Sequence, residues 1–326
     1  MKHVSFSEFE GFLTGHSHHR RGGTGGTVVL CENGAVAGVD VRGGAPGTRE
    51  TDLLDPENLV EKIHGVCLAG GSAYGLEASS GVMAFLEEHQ IGFETPGGKV
   101  PIVPSAILYD LTVGDPDIRP DKEMGYMACM NAYNREPLKQ GNAGAGTGAS
   151  VGKILGPTYA MKGGIGYFGV KIDTFFIGAI VVVNSFGDII DPDTGNVIAG
   201  VYDHKSGKLM NTESILRNQL FKKEDPGFSG NTSLGVVMTN VKWSKAQAKK
   251  IASISHDGFA RTMRPSHTFL DGDTIFTMST CEVEADLNAV ASLAAYVVER
   301  AVIQAVKQAE SCYGLPAAKH LEKGEG

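Results

Sequence analysis

The chain has 326 residues, of which 42% are hydrophobic, 20% are charged and 44 are glycine. That supplies a sizeable core and excludes disorder as the main state; without a G-X-Y period it also excludes a collagen-like chain. The formal charge of −8, with no basic block, argues against nucleic acid or an anionic membrane as partner.

No stretch approaches the ~18 uninterrupted apolar residues of a membrane helix. Met1–Phe12 carries Glu8 and Glu10 and lacks the apolar centre of a signal peptide. The cysteines, Cys31, Cys67, Cys129, Cys281 and Cys312, are odd in number and form no CxxC pair. That spacing suits buried thiols in a reducing cytoplasm better than disulfides or a zinc site.

Residues 1–26 read as a polar lead-in. His16, His18 and His19 lie beside Arg20 and Arg21 with no acidic or Cys ligand nearby, which favours a mobile basic terminus over a metal site. Order is expected from Thr27. Thr27–Glu32 and Ala35–Val41 flank Asn33-Gly34, a hairpin signal. A helix is expected from Ser72 to about Glu88. Its Ala, Gly and Ser positions would let another element approach closely. Residues 89–147, with Pro96, Pro101, Pro104, Pro116, Pro120 and Pro137, read as loops.

Phe175–Asn184 is continuously apolar, the pattern of a strand buried on both faces. Leu234–Thr239 and Thr274–Ser279 read as further strands. Ser244 and Gln247 form a capping box for a helix that includes Ala248, Ile251, Ile254 and Phe259. Leu287 to about Ser311 is a long Ala/Val-rich helix, compatible with burial on several sides or with an interface. The order lacks a βαβα alternation and points to layered α+β. Residues 222–230 (Lys-Lys-Glu-Asp-Pro-Gly-Phe-Ser-Gly) form the most linker-like segment.

Two glycine-rich readings fail. Gly148-Ala149-Ser150-Val151-Gly152-Lys153-Ile154 misses P-loop spacing and lacks the hydroxyl residue after the Lys. No strand precedes it, as a dinucleotide fingerprint requires. The same stretch matches G-x-S-x-G, with Asp191, Asp193, His256 and His267 downstream in hydrolase-triad order. The missing strand makes Ser150 a second choice of nucleophile.

Gly230-Asn231-Thr232-Ser233 places a hydroxyl residue at the mouth of a buried strand, directly after the linker-like segment. An N-terminal nucleophile needs that arrangement: self-cleavage before Thr frees an α-amine that serves as base for the same side chain. Gly70-Gly71-Ser72-Ala73-Tyr74-Gly75-Leu76-Glu77-Ala78, Gly-Ala-Gly-Thr-Gly-Ala-Ser at 144–150, Gly-Asn-Thr-Ser at 230–233 and Asp271-Gly272-Asp273-Thr274 together resemble one family. It is the self-processing family of L-aminopeptidase/D-Ala-esterases, β-aminopeptidases and endo-type 6-aminohexanoate (nylon) oligomer hydrolases. The details are most similar to the last of these.

The resemblance implies a four-layer α-β-β-α sandwich, self-cleaved between Asn231 and Thr232 into chains of 231 and 95 residues, 1–231 and 232–326. It implies Thr232 as nucleophile and the Asn184 amide as oxyanion donor. Lys153 would favour the neutral Thr232 amine. Asp271 and Asp273 would hold the Thr232 hydroxyl and amine, and Tyr109 would line the substrate pocket. No metal or organic cofactor is implied. A homo-oligomer, by resemblance a tetramer, is expected. The expected activity is endo-type hydrolysis of 6-aminohexanoate oligomers and related polyamides, with an aminopeptidase as the in-class alternative. A serine hydrolase through Ser150, or a non-catalytic relative, stands as the alternative of another class.

Overall fold

The computed structural model describes residues 1–221 and 230–322. The linker-like segment therefore lies, apart from Gly230, outside the described residues. The main strands are β1 (Leu13–His19), β2 (Thr24–Val41), β3 (Lys62–Ala69), β4 (Ser105–Ile107), β5 (Gly164–Ile172), β6 (Phe175–Val183), β7 (Leu234–Val241) and β8 (Thr274–Val283). The helices are α1 (Ala78–Glu88), α2 (Lys122–Tyr133), α3 (Thr212–Asn218), α4 (Lys245–Thr262) and α5 (Leu287–Gln308).

The strands hydrogen-bond in the order β5-β6-β7-β8-β2-β3-β4, with β1 also on β2. The pairs β7–β8 and β3–β4 are parallel and the rest are antiparallel. Alternation within each strand sorts side chains to two cores. On β6, Ile180 and Val182 face a core shared with Val29 and Leu68 of β2 and β3. Its Ala179 and Val181 face Val298 and Val302 of α5. On β2, Val28 and Leu30 pack instead with Val82 and Phe85 of α1 and Ala128 of α2. The layers are thus α4/α5, β5–β8, β1–β4 and α1/α2, the expected α-β-β-α sandwich. Burial on both faces is why these strands lack polar alternation.

Three local expectations change. Asn33-Gly34 is not a hairpin turn: β2 runs through it as one 18-residue strand. Its first part pairs with β1 and β3 and its last part with β8, with a register shift between Leu30 and Ala35. Gly34, at φ +74°, lies within that register shift, as a β-bulge glycine does. The N-terminus is not a lead-in either. His16, His18 and His19 belong to β1, and Phe6, Phe9 and Phe12 are buried in the core between the sheets.

The loop-rich stretch contains α2, capped by Asp121, whose carboxylate accepts the Met124 N–H at 2.8 Å. Its small buried face, Gly125, Ala128, Cys129 and Ala132, gives little helical periodicity to read. The long helix α5 is buried on several sides as expected: it is apolar and long enough to resemble a membrane span, and it packs on β5, β6 and α4. About two thirds of its most apolar stretch, 67%, is buried within the chain.

Candidate active site

Strand polarity assembles the site. Antiparallel pairing of β6 and β7 sets Val182 opposite Leu234, and parallel pairing of β7 and β8 sets Leu234 opposite Thr274. The end of β6 therefore meets the starts of β7 and β8. Asn184, Thr232 and Asp271-Gly272-Asp273 come together at one sheet end, all buried.

Thr232 is fixed on several sides. Its N–H donates to the Asn184 carbonyl at 2.9 Å. Its hydroxyl lies against the Asn231 carbonyl oxygen, Oγ1 to O 2.5 Å. The Gly272 N–H donates to that same oxygen at 2.8 Å, and the Asn231 N–H to the Leu270 carbonyl at 3.4 Å. Residue 231 is thus bound as a short strand beside 270–272. A Cβ on Gly272 would lie 2.6 Å from Thr232 Oγ1 and 2.7 Å from the Ala45 carbonyl. Only glycine fits between them.

Lys153 is buried, and its Nζ donates to Asn184 Oδ1 (2.8 Å), the Gly230 carbonyl (3.1 Å) and the Asn184 carbonyl (3.3 Å). Burial lowers its pKa to about 7, against the opposing pull of Asp271 and Asp110. Asn184 Oδ1 also accepts the Ser150 N–H at 3.0 Å, which fixes the amide's orientation. The Asn184 amide N–H donates to the Tyr109 carbonyl at 3.2 Å. The ring of Tyr109 lies on Gly230, where a Cβ would stand 2.3 Å from its Cγ.

The two aspartates do not hydrogen-bond Thr232 in this uncut chain; they brace its surroundings. Asp273 accepts the Ser233 N–H at 2.8 Å and both the backbone N–H and Nδ1 of His267. Asp271 accepts from the Thr268 N–H and hydroxyl and, at 3.4 Å, from the Phe186 N–H. Burial, then the charge of Asp273, raises the Asp271 pKa to about 6.

The Ser150 triad is not assembled. Asp191 pairs with Lys307 and Asp193 with Arg300, while His256 bonds the Asp40 carbonyl and His267 bonds Asp273. Ser150 serves the site through its backbone. Among the described residues, no cluster of three or more His, Cys, Asp or Glu is arranged to hold a metal.

Sequence reasoning missed the backbone contributions of Gly272 and Leu270, because main-chain donors and acceptors carry no side-chain signature. It also missed Lys162, whose buried Nζ donates to the carbonyls of Gly146, Ala149 and Gly163 and so ties down the glycine-rich loop before Ser150.

Comparison with known proteins gives the family and the fold. The signature of peptidase family S58 matches residues 6–319. An uncharacterized aminopeptidase of Mycobacterium leprae is 41% identical, over 96% of this chain and 92% of that protein. A 6-aminohexanoate-oligomer endohydrolase of Paenarthrobacter ureafaciens is 35% identical, over 85% of this chain and 75% of that protein. The structure of the L-aminopeptidase D-Ala-esterase/amidase of Ochrobactrum anthropi, described as an Ntn-hydrolase variant, superposes with a TM-score of 0.70 at 19% identity, covering 96% of this chain and 90% of that one. With relatives of this identity over nearly its whole length, the chain belongs to peptidase family S58 and is an amide-bond hydrolase of the Ntn-hydrolase fold.

Proposed function

We propose that the protein cuts itself between Asn231 and Thr232 and then hydrolyses amides through an acyl-enzyme on Thr232. The observation that carries this reading is the Asn231 carbonyl, held by the Gly272 N–H with the Thr232 hydroxyl against it. In self-cleavage a bond forms from Thr232 Oγ1 to the Asn231 carbonyl carbon, and the C–N bond breaks. The hydroxyl proton ends on the Thr232 nitrogen. Water then hydrolyses the ester and releases the Asn231 carboxyl group.

The freed α-amine is the base for substrate turnover. In the uncut chain, the Thr232 nitrogen and Lys153 Nζ share the Asn184 carbonyl as acceptor. Where Lys153 carries its proton, at and below about pH 7, a cation that close favours the neutral amine. Gly272 N–H is one donor for the oxyanion, and the second N–H of the Asn184 amide, whose first is given to the Tyr109 carbonyl, is the other, a contribution typically worth ~3–4 kcal/mol per donor. Asp271 braces the site during self-cleavage through Thr268 and the Phe186 N–H, without a hydrogen bond to Thr232.

The substrate we favour is an oligoamide cut internally, 6-aminohexanoate oligomers included. The chain's own acyl arm supports this: Lys153 donates to the Gly230 carbonyl, one amide before the reacting one. An internally cut chain offers such a carbonyl, whereas a free amino end would place an ammonium near Lys153. The second reading is an aminopeptidase, favoured by the 39–41% identity to the mycobacterial proteins so named. A homo-oligomer belongs to the same proposal, and a monomeric mass by light scattering would remove it. The deciding test of the mechanism is intact mass: wild type should give two chains, and Thr232→Ala one. Two fragments from Thr232→Ala would assign the cut to another protease.

A further inference from the structure

Behind the nucleophile stand two histidines that the proposed reaction does not use. His267 Nδ1 lies 2.9 Å from Asp273 Oδ2, and the His267 backbone N–H donates to the same oxygen at 3.0 Å. The other oxygen of Asp273 accepts the N–H of Ser233, the residue after Thr232. His267 packs edge to face on His256, ring centroids 4.8 Å apart. His256 is in turn anchored on α4 and through Nε2 to the Asp40 carbonyl of β2, at 3.0 Å.

Packing alone does not account for this arrangement. His267 Nε2 and His256 Nδ1 are both buried without a hydrogen-bond partner. A buried polar atom left unpaired is destabilising, so a site chosen for packing would carry an apolar ring. The imidazole is kept for what its Nδ1 does. We propose that His267 is a positioning residue for Asp273, buttressed by His256. By holding Oδ2 it aims Oδ1 at Ser233 and thereby sets the backbone that presents Thr232.

This inference rests on Thr232 as the nucleophile, so Thr232→Ala is run beside it; fragments from that variant would remove the underlying reading and leave the histidines unjudged by it. The test compares His267→Ala, His267→Asn and His267→Gln for self-cleavage rate, kcat and melting temperature. Asn places an amide donor where Nδ1 stands, and Gln places one nearer Nε2. His267→Ala and His267→Gln should slow both reactions about ten- to hundredfold, the kinetic equivalent of one lost charge-assisted hydrogen bond. His267→Asn should restore the rate. In an Asp273→Asn background, His267→Ala should add little further loss, because the two act as one unit. Full activity in folded His267→Ala would overturn the proposal. So would equal losses in the Asn and Gln variants, or losses that simply multiply with Asp273→Asn. If His267→Ala does not fold, the Asn and Gln pair still decides.

Discussion

The backbone N–H of Gly272 donates to the carbonyl oxygen of Asn231 at 2.8 Å, on the peptide bond that joins Asn231 to Thr232. This contact needs the space that glycine leaves, since a Cβ there would collide with Thr232 Oγ1 and Ala45. Gly272→Ala should therefore move the donor and slow self-cleavage by roughly 10²–10³, the usual effect of losing an oxyanion donor. A denaturing-gel time course reads this directly. Wild-type cleavage rates in the variant would show that the Gly272 N–H takes no part.

Thr232→Ser should behave differently from Thr232→Ala. Serine retains a hydroxyl at the same atom, so the two-chain product should still form, more slowly. Intact mass spectrometry distinguishes the outcomes. A Ser variant that stays whole while folded would mean that the Thr methyl group is needed to aim the attack.

Lys153 makes stability depend on pH in a defined direction. Burial holds its ammonium down at about 7, from an ordinary 10.5. Between those values the unfolded chain binds a proton that the folded chain does not, so unfolding free energy rises with pH across the window. Lys162, lowered to about 8 by burial, acts with the same sign. In the uncut Thr232→Ala background, Lys153→Met should lose part of this rise. The Tm of Lys153→Met relative to its parent should fall steadily from about pH 7 to pH 10. A constant difference would show that Lys153 does not titrate in that window.

The N-terminal aromatics are structural. Phe9 is 2% exposed and stacks near Phe6 and Phe176 between the two sheets. Phe9→Ala should lower stability by roughly 3–5 kcal/mol, the usual range for a deleted core aromatic. The midpoint of chemical unfolding measures it. A change below about 1 kcal/mol would contradict this placement.

Substrate choice is tested with linear 6-aminohexanoate oligomers, free and with the amino end blocked. If Lys153 receives a preceding amide carbonyl, both forms should be cut at internal bonds. Release of single units from the free form alone would select the aminopeptidase reading.

Much of the fold was legible because local patterns survive in it. The apolar runs at 175–183, 234–239 and 274–279 are strands, and the Ser244/Gln247 capping box opens α4 as read. The residues of the site were nameable from the sequence because hydroxyl, amide, ammonium and carboxylate groups differ in kind. Their convergence was not, because nothing local states that β6 runs against β7 while β7 runs with β8. Asn33-Gly34 shows the same limit: its turn chemistry is real, but β3 pairs on both sides of it and β8 pairs from Val36 onward, which makes it an irregularity within one strand. The sequence by itself determined the layered α+β class and the chemical groups available. Tertiary structure alone decided that the Gly272 N–H and the Thr232 hydroxyl meet at one carbonyl. Those contacts depend on strand register and on main-chain atoms that every residue except proline carries alike.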